Sequence, residues 1–325
     1  MLSIRAIATS LLLVALAPPI QAQDYPSRQV TMILPLAAGG AMDILARGQL
    51  GPKLADRLGK PVVIENRTGG GTLIAATAVA KSPPDGYTLF FAPAGTLTTN
   101  VTLYKQLPYD PARDFVPVAL TSRVAFILAV NPALPVNSVD ELVKYIKERP
   151  GQLTYGSTGI GATPHLAFEI FQRLTGTKLI HAPYRGMPPA TNDVIAGHIQ
   201  MVFTDPAFAP PLIAEGKLKA LAVSSLTRIA SVPNVPTLDE LGYKGFEAVS
   251  WHMVCAPAGT PKDVVERLNR EFKAIVAQPE MQQAMVKLGL IPNVTAPPDE
   301  LKRWLDAEIE RWGKLVKDAG IAGTE

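Results

Sequence analysis

The segment 155–170, YGSTGIGATPHLAFEI, places three glycines and three hydroxyl side chains ahead of an apolar run with helical spacing. Thr163 suits a helix N-cap, and Pro164 suits the first helical position, where its missing N–H has no cost. Gly176 is well placed to end the helix. The pattern predicts a strand at about residues 152–155, a loop at 156–163 and a helix at 164–175.

Apolar runs of strand length alternate with helical patterns along the rest of the chain. Such runs, apolar on both faces, are typical of parallel sheets covered by helices, and their number favours two α/β domains. The C-terminal third is nearly all amphipathic helix, which we expect to pack back on the first domain. The strand candidates are QVTMILPL, PVVIENR, YTLFFA, AFILAV, QLTYGS, KLIHAPY, IQMVFT, KALAVSS and SWHMVCAP.

Composition supports a globular protein. The chain has 325 residues, of which 47% are hydrophobic and 18% charged, with a formal net charge of +3. Its charged residues are scattered rather than clustered, which argues against a nucleic-acid partner. Its single cysteine, Cys255, is predicted to be a small buried hydrophobe.

The N-terminus has the pattern of an export signal. Residues 1–22 hold one positive charge, Arg5, then an uncharged apolar stretch and a helix-breaking Pro18-Pro19 segment. The apolar stretch is shorter than the roughly 20 residues that a membrane span requires. We therefore expect residues 1–22 to be a cleaved signal peptide and the mature protein to be periplasmic and soluble.

Local helix chemistry predicts one irregularity. The stretch MDILARGQLGPKLADRLG has helical periodicity, but Gly51 and Pro52 interrupt it. An interior proline costs a helix about 3 kcal/mol unless the helix bends there. A kink or a break is therefore expected near Gly51.

The loop at 156–163 does not match a nucleotide-binding fingerprint. Gly159-Ile160-Gly161 begins a G-x-G-x-x-G pattern, but its sixth position is Pro164, and no Gly-Lys-Ser/Thr follows. The glycines at 69–71 also lack the required spacing and the lysine. We expect no dinucleotide and no other cofactor.

A second interpretation is catalytic, with Ser157 as nucleophile, His165 as base and Asp205 as the group that orients the base. No G-x-S-x-G elbow supports it, and loop serines ahead of helices usually satisfy backbone donors. The four histidines have no metal-binding spacing, so no metal site is expected. The sequence does not exclude a hydrolase of this kind.

The third interpretation is anion capture. A loop of glycines and hydroxyls that enters a helix offers unpaired N–H groups and about half a positive charge to a carboxylate. The same design occurs in LPLAAGGAMDILAR, where Gly39-Gly40 precede a helix that begins near Met42. Asp43 would cap that helix or meet a ligand's amine or hydroxyl.

Two further residues end strands, where open α/β sheets bind ligands. Arg185 follows one predicted strand and Asp205 follows the next. A structural ion pair between them is favoured over contact of Arg185 with a substrate carboxylate.

The chain contains a series of segments that resemble, in sequence and in order, those of the solute receptors of tripartite tricarboxylate transporters, often called Bug-type receptors. The resemblance implies a class II periplasmic binding protein fold: two α/β lobes, joined by two crossovers, around a ligand cleft. Lobe 1 would comprise residues 23–123 plus 247–325, and lobe 2 residues 124–246. The matching segments are GGAMDILAR, PVVIENRTGGG, PPDGYTL, LPYDPARDFVPV, GSTGIGATPHLA, PYRGMPPATNDVIAGHI, KALAVSS, VPTLDELGY and APAGTPKDVVERLN.

The resemblance also implies ligand-binding positions, and it places Thr96 and Trp251 at the border of the cleft. The chain departs from the family pattern at LPLAAGG, FAPAGTLTTN and WHMVCAP, which affects ligand identity rather than fold. Small side chains at Ala41, Ala94 and Ala162 leave room for a bulky or aromatic acid. The expected ligand-binding residues are Ala38, Gly39, Gly40, Ala41, Asp43, Thr96, Ser157, Thr158, Gly159, Gly161, Ala162, His165 and Asp205.

Together these features predict an exported, monomeric, non-enzymatic receptor. It would close on a small carboxylate, either a dicarboxylate or an aromatic acid, and deliver it to a membrane permease. The alternatives are a periplasmic sensor for a signalling partner and a hydrolase that uses Ser157 and His165.

Overall fold

A computed structural model describes residues 25–325, so the predicted signal peptide, residues 1–22, lies outside the described residues. The strands form two sheets, one in each lobe. The strands are β1 (Val30–Leu34), β2 (Val62–Asn66), β3 (Thr88–Pro93), β4 (Phe115–Ala125), β5 (Ile127–Val130), β6 (Thr154–Ser157), β7 (Ile180–Pro183), β8 (Met201–Thr204), β9 (Lys219–Val223), β10 (Val249–Pro257) and β11 (Leu290–Pro292).

The six-stranded sheet of lobe 1 has the order β11-β4-β10-β3-β1-β2, and the five-stranded sheet of lobe 2 has the order β7-β6-β8-β5-β9. The prediction of parallel sheets is only partly right. In lobe 1, β1 is parallel to β2 and β3, but β10 is antiparallel to β3 and β4. In lobe 2, β6 is parallel to β7 and β8, but β5 is antiparallel to β8 and β9. Burial on both faces makes these antiparallel strands as apolar as parallel ones.

The chain passes between the sheets at two places. It enters lobe 2 between Ala125 and Ile127, and it returns between Val223 and Val249. This confirms the predicted α/β fold of two lobes with two crossovers. The short first crossover places Phe126 at the junction, where it lines the cleft.

Helices cover the sheets. Between residues 25 and 325, none of them combines the length and apolar character that a bilayer crossing requires. The helices are α1 (Ala41–Leu45), α2 (Gly51–Leu58), α3 (Leu73–Ala80), α4 (Ala94–Leu97), α5 (Thr99–Leu103), α6 (Pro111–Asp114), α7 (Val139–Lys147), α8 (Thr163–Thr175), α9 (Met187–Ala196), α10 (Ala209–Ala214), α11 (Lys262–Val276), α12 (Pro279–Lys287) and α13 (Pro298–Asp318).

The predicted irregularity near Gly51 takes the form of a π-helical stretch, Ala46–Leu50, that joins α1 to α2. Pro52 then lies at the start of α2, where a proline is tolerated. Gly51 is needed there because an added Cβ would lie 3.0 Å from the Ala46 carbonyl oxygen and 3.2 Å from Ile64 Cδ1. Together α1, the π-helical stretch and α2 form a continuous helical run from residue 41 to residue 58, so the chain is not broken at Gly51.

The C-terminal helices pack back on lobe 1, with α11 and α13 lying against β4. Glu308 of α13 links this layer to the sheet, because its Oε2 accepts hydrogen bonds from Nε1 of Trp251 at 2.7 Å and of Trp312 at 2.9 Å. Cys255 is buried and free, as predicted.

Candidate ligand-binding cleft

The lobe 2 loop, residues 158–162, connects β6 to α8. Gly159 and Gly161 adopt φ values of 124° and 74°, which side chains with a Cβ rarely adopt. The predicted N-cap, Thr163, is wrong by one position: α8 begins at Thr163 and its N-cap is Ala162, which has no side-chain oxygen. Instead, His165 Nδ1 accepts a hydrogen bond from the Gly161 N–H at 3.0 Å. The side chain of His165 thereby shapes the loop.

The lobe 1 loop, residues 35–40, connects β1 to α1 and ends at Gly40, the N-cap of α1. Asp43 stabilises it, because its Oδ2 accepts a hydrogen bond from the Gly39 N–H at 3.1 Å and its Oδ1 accepts one from Arg47 at 3.0 Å. Burial acts to raise the pKa of Asp43, but the Gly39 and Arg47 donors outweigh it and lower that pKa. Asp43 is therefore an ionised capping residue.

Hydrogen bonds join the lobes across the cleft at several points. Thr99 Oγ1 donates to the Gly161 carbonyl at 2.7 Å, and the Ala37 N–H donates to the Arg185 carbonyl at 3.2 Å. The Ala41 N–H, at the start of α1, donates to Oδ2 of Asp205 at 3.2 Å. The lobes are therefore in contact, and the structure shows a closed cleft.

The closed cleft contains an inner cavity of about 60 Å³, much smaller than the roughly 300–1,000 Å³ of typical ligand pockets. Its wall comes from both lobes. The expected ligand-binding residues that line it are Gly40, Ala41, Asp43, Thr96, Thr158, Ala162 and Asp205.

The other expected residues lie elsewhere. Ala38 and Gly39 are exposed at the bend of the lobe 1 loop, outside the inner cavity. Gly159 lines an outer cavity of about 690 Å³, which shares Thr158 and Ile160 with the inner one. Gly161, His165 and Ser157 are buried behind the wall and support it.

Ser157, His165 and Asp205 do not form a triad. The Ser157 hydroxyl is fully buried and pairs with Nε2 of His181 at 2.7 Å, whereas Nδ1 of His165 is bonded to the Gly161 N–H. It also accepts a hydrogen bond from the Gly159 N–H at 3.1 Å. Asp205 instead contacts α1 of the other lobe, because the strand end that carries it faces the cleft.

His165, which is buried, stacks on the half-buried His181 with their ring centroids 4.2 Å apart. Burial lowers the pKa of His165 to about 3, with a further contribution from His181, and burial lowers the pKa of His181 to about 4. Both rings are therefore neutral near pH 7 and hold the loop through hydrogen bonds.

Two other expectations are wrong. Arg185 forms no ion pair with Asp205; its side chain is exposed at the outer cavity, and Asp205 bonds to Ala41 instead. Trp251 does not border the cleft, since it is 2% exposed and faces α13. Alternate side chains of a strand face opposite sides, so its neighbours Ser250 and His252 line the inner cavity in its place.

Sequence reasoning missed several wall residues. Thr72, with a φ of 81°, accepts a hydrogen bond from the Thr96 hydroxyl at 2.8 Å, and Asn100 lies beside both. The glycines at 69–71 were a signal for that turn. The apolar part of the wall includes Leu36, Phe126, Ile160 and Met187.

The inner wall carries little charge. Among the residues that line it within 25–325, the titratable side chains are Asp43, Asp205 and His252, and none is lysine or arginine. Burial lowers the pKa of His252 to about 4, so this ring is neutral at pH 7. An anion in this cavity would be held by backbone N–H groups and by hydroxyls, not by an ion pair.

The described part of the chain contains no group of three or more His, Cys, Asp or Glu side chains that could hold a metal ion. The arrangement offers binding chemistry: donors at two helix starts, an apolar wall and acceptors at Asp43 and Asp205.

Comparisons with known proteins agree with this arrangement. The sequence profile of the tripartite tricarboxylate transporter family receptor, TctC, matches residues 46–321. The R. palustris protein Rpa4515, solved with adipate, is 38% identical, with a TM-score of 0.87 over 92% of this chain and 99% of that one. The periplasmic binding protein BugD is 37% identical, with the same TM-score and the same coverage of both chains. MatC from Rhodopseudomonas palustris, solved with malate, is 32% identical, with a TM-score of 0.83 over 90% of this chain and 100% of that one.

These matches confirm the resemblance that the sequence motifs indicated, and they confirm a periplasmic binding protein fold. Each covers nearly the whole of the compared chain, so both lobes and the cleft between them are shared. The chain belongs to the tripartite tricarboxylate transporter receptor family.

Proposed function

We propose that this protein is a periplasmic receptor that binds a small carboxylate by closing its two lobes and delivers it to a tripartite membrane permease. The observation that carries the proposal is one cavity between the lobes. Two glycine loops, one from each lobe, open onto it and each leads into a helix, and the wall residues within 25–325 include no lysine or arginine. Export through a cleaved signal peptide, residues 1–22, is part of the proposal.

The energetics favour a ligand that engages both lobes. Each helix start contributes roughly 0.3 to 2 kcal/mol to a bound carboxylate. A ligand that contacts α1 and α8 together does so only in the closed form, so its differential affinity shifts the lobes toward closure. The relatives solved with adipate and malate support a dicarboxylate.

The apolar wall supports a ligand with a hydrocarbon body. Leu36, Phe126 and Met187 line the inner cavity beside the polar loops. The small inner volume means that the lobes must separate slightly to admit any ligand. A dicarboxylate or a flat aromatic acid has a hydrocarbon body for the apolar wall and is small enough to enter after a slight opening.

A thermal-shift screen tests the proposed ligand class. At 100-fold excess over Kd, a ligand of the folded state stabilises it by about 2.7 kcal/mol. We expect at least one aliphatic or aromatic carboxylate to raise Tm by roughly 5–10 °C, given 2–4 °C per kcal/mol for a chain of this size. Sugars and amines are the controls. A shift caused by these neutral or cationic compounds, with none from carboxylates, would contradict the proposal.

A Ser157→Ala variant tests the non-enzymatic part of the proposal. Because Ser157 is fully buried and bonded to Gly159 and His181, we expect neither the natural protein nor the Ser157→Ala variant to hydrolyse esters or amides. Loss of the hydrogen bonds to Gly159 and His181, worth about 1 kcal/mol each, should weaken carboxylate binding by less than roughly 30-fold. Turnover that disappears in the alanine variant would establish a hydrolase instead.

Delivery to a permease is tested by reconstitution. Vesicles that contain the cognate permease subunits should take up labelled carboxylate only when the loaded receptor is supplied outside. Equal uptake without the receptor would contradict a delivery role.

A further inference from the structure

Asp205 occupies the position that a ligand carboxylate would take at the start of α1. Its Oδ2 accepts the Ala41 N–H at 3.2 Å, across the cleft from its own lobe. An added Cβ at Gly40 would lie 3.4 Å from the same oxygen, so this carboxylate fills the space directly in front of the helix start. A ligand carboxylate can reach that N–H only if Asp205 moves away.

Displacement of Asp205 has an electrostatic cost. The carboxylate would lose its donor and remain in a closed cavity beside a second anion. Asp43 adds negative charge to the same wall, although Arg47 partly neutralises it. No lysine or arginine among the described wall residues offsets the charge of Asp205.

We propose that Asp205 is a specificity-determining residue that takes up one proton from solvent whenever a carboxylate without a hydrogen-bond donor binds in this cleft. The inference rests on the proposed carboxylate function. The carboxylate of Asp205 becomes a neutral carboxyl group whose O–H can donate to the ligand. A ligand with its own hydroxyl can instead donate to ionised Asp205, so it binds without this proton.

Among the titratable side chains of the described cavity wall, Asp205 is the one whose charge changes near neutral pH. Burial raises the pKa of Asp205 to about 6, and the Ala41 hydrogen bond lowers it only in part. The pKa of Asp43 is lowered and His252 has a pKa of about 4, so neither changes charge between pH 6 and pH 8. These two are the other titratable side chains of the cavity wall in residues 25–325.

The sign of the pH dependence follows. A bound anion raises the pKa of Asp205 further, so affinity is fully present below the pKa of the free protein and is lost as pH rises above it. If only the protonated form accepts adipate, one-proton linkage with a pKa of about 6 weakens binding roughly 50-fold between pH 6 and pH 8. Adipate itself stays largely ionised over this range, since free carboxyl groups titrate near roughly 4.

Isothermal titration calorimetry with adipate and with malate tests this inference. Titrations in buffers of different ionisation enthalpy should show uptake of about one proton per adipate at pH 7.5 and much less for malate, whose hydroxyl can donate. In Asp205→Asn the side chain keeps its shape but carries no charge. The affinity of this variant for adipate should therefore not change with pH, and at pH 8 it should exceed that of the natural protein. Asp56→Asn, on the exposed side of α2, is the matched control and should keep the natural pH dependence.

The outcomes separate the two proposals. Binding of adipate by the natural protein with no proton uptake, or a pH dependence that persists in Asp205→Asn, overturns the role of Asp205 alone. Failure of adipate to bind at any pH, while other carboxylates of the screen bind, also overturns that role alone. Failure of every carboxylate overturns the proposed function together with it.

Discussion

Replacement of Gly186 by leucine is expected to weaken carboxylate binding roughly 100-fold, equal to about 2.7 kcal/mol, while leaving the protein folded. Gly186 lies in lobe 2, and the three atoms nearest to an added Cβ all belong to Ala37 of lobe 1, the first at 2.7 Å. A leucine side chain at this position would collide with Ala37 and hold the two lobes apart. The ligand then loses its contacts with one lobe, both the helix start and that lobe's part of the cavity wall.

The backbone at this position tolerates the change. Gly186 has a φ of 176°, which is extended backbone that any residue adopts, so the effect is on closure and not on folding. Affinity is measured by calorimetry and lobe separation by small-angle X-ray scattering with and without ligand. Gly48→Leu is the control, because nothing lies within 4 Å of an added Cβ there. Unchanged affinity in Gly186→Leu would show that binding does not require the closed cleft.

Replacement of Glu308 by alanine is expected to lower the free energy of unfolding by about 3 kcal/mol. Its carboxylate accepts the buried indole N–H groups of Trp251 and Trp312 and a bidentate contact from Arg311. Burial acts to raise the pKa of Glu308, but the donors from Arg311 and the two tryptophans outweigh it and lower that pKa. Without the acceptor, two buried donors are left unpaired.

Urea denaturation followed by circular dichroism measures this loss. Glu310→Ala, an exposed substitution on the same helix, should change stability by less than about 0.5 kcal/mol. Because the folded-state pKa is lowered, the contribution of Glu308 is present above its unfolded pKa and disappears as pH falls through the folded value. Equal stability of the Glu308 and Glu310 variants at pH 7 would contradict the role of this carboxylate.

Local signals explain why the loops were predictable. The glycines of the lobe 2 loop adopt φ values that few other residues tolerate, Pro164 lies in the first turn of α8, and Gly176 ends that helix in the left-handed conformation. Each of these preferences depends on a residue's own backbone chemistry. Strand–loop–helix units can therefore be located from one sequence.

The wall of the site depends on distant residues. The bond between Ala41 and Asp205 joins positions 164 residues apart. Ser157 bonds to His181 because the parallel pairing of β6 and β7 places His181 opposite Tyr155, two residues before Ser157 on the same face. Local spacing contains no information about these contacts. The prediction that Trp251 borders the cleft was wrong for a different reason. On β10, as on any strand, a shift of one residue moves the side chain to the opposite face of the sheet.

The most direct test of the central claim is a calorimetric comparison of a carboxylate with its own carboxamide at pH 5.5, below the pKa of about 6 of Asp205, so that Asp205 is largely neutral for both ligands. The ligand is the carboxylate that gives the largest thermal shift, and the carboxamide keeps its shape but removes its negative charge. If two helix starts hold an anion, the carboxylate should bind to a single site and the carboxamide at least roughly threefold more weakly, since the two starts together contribute about 0.6 to 4 kcal/mol. Equal affinity for the two compounds would contradict carboxylate recognition by this cleft.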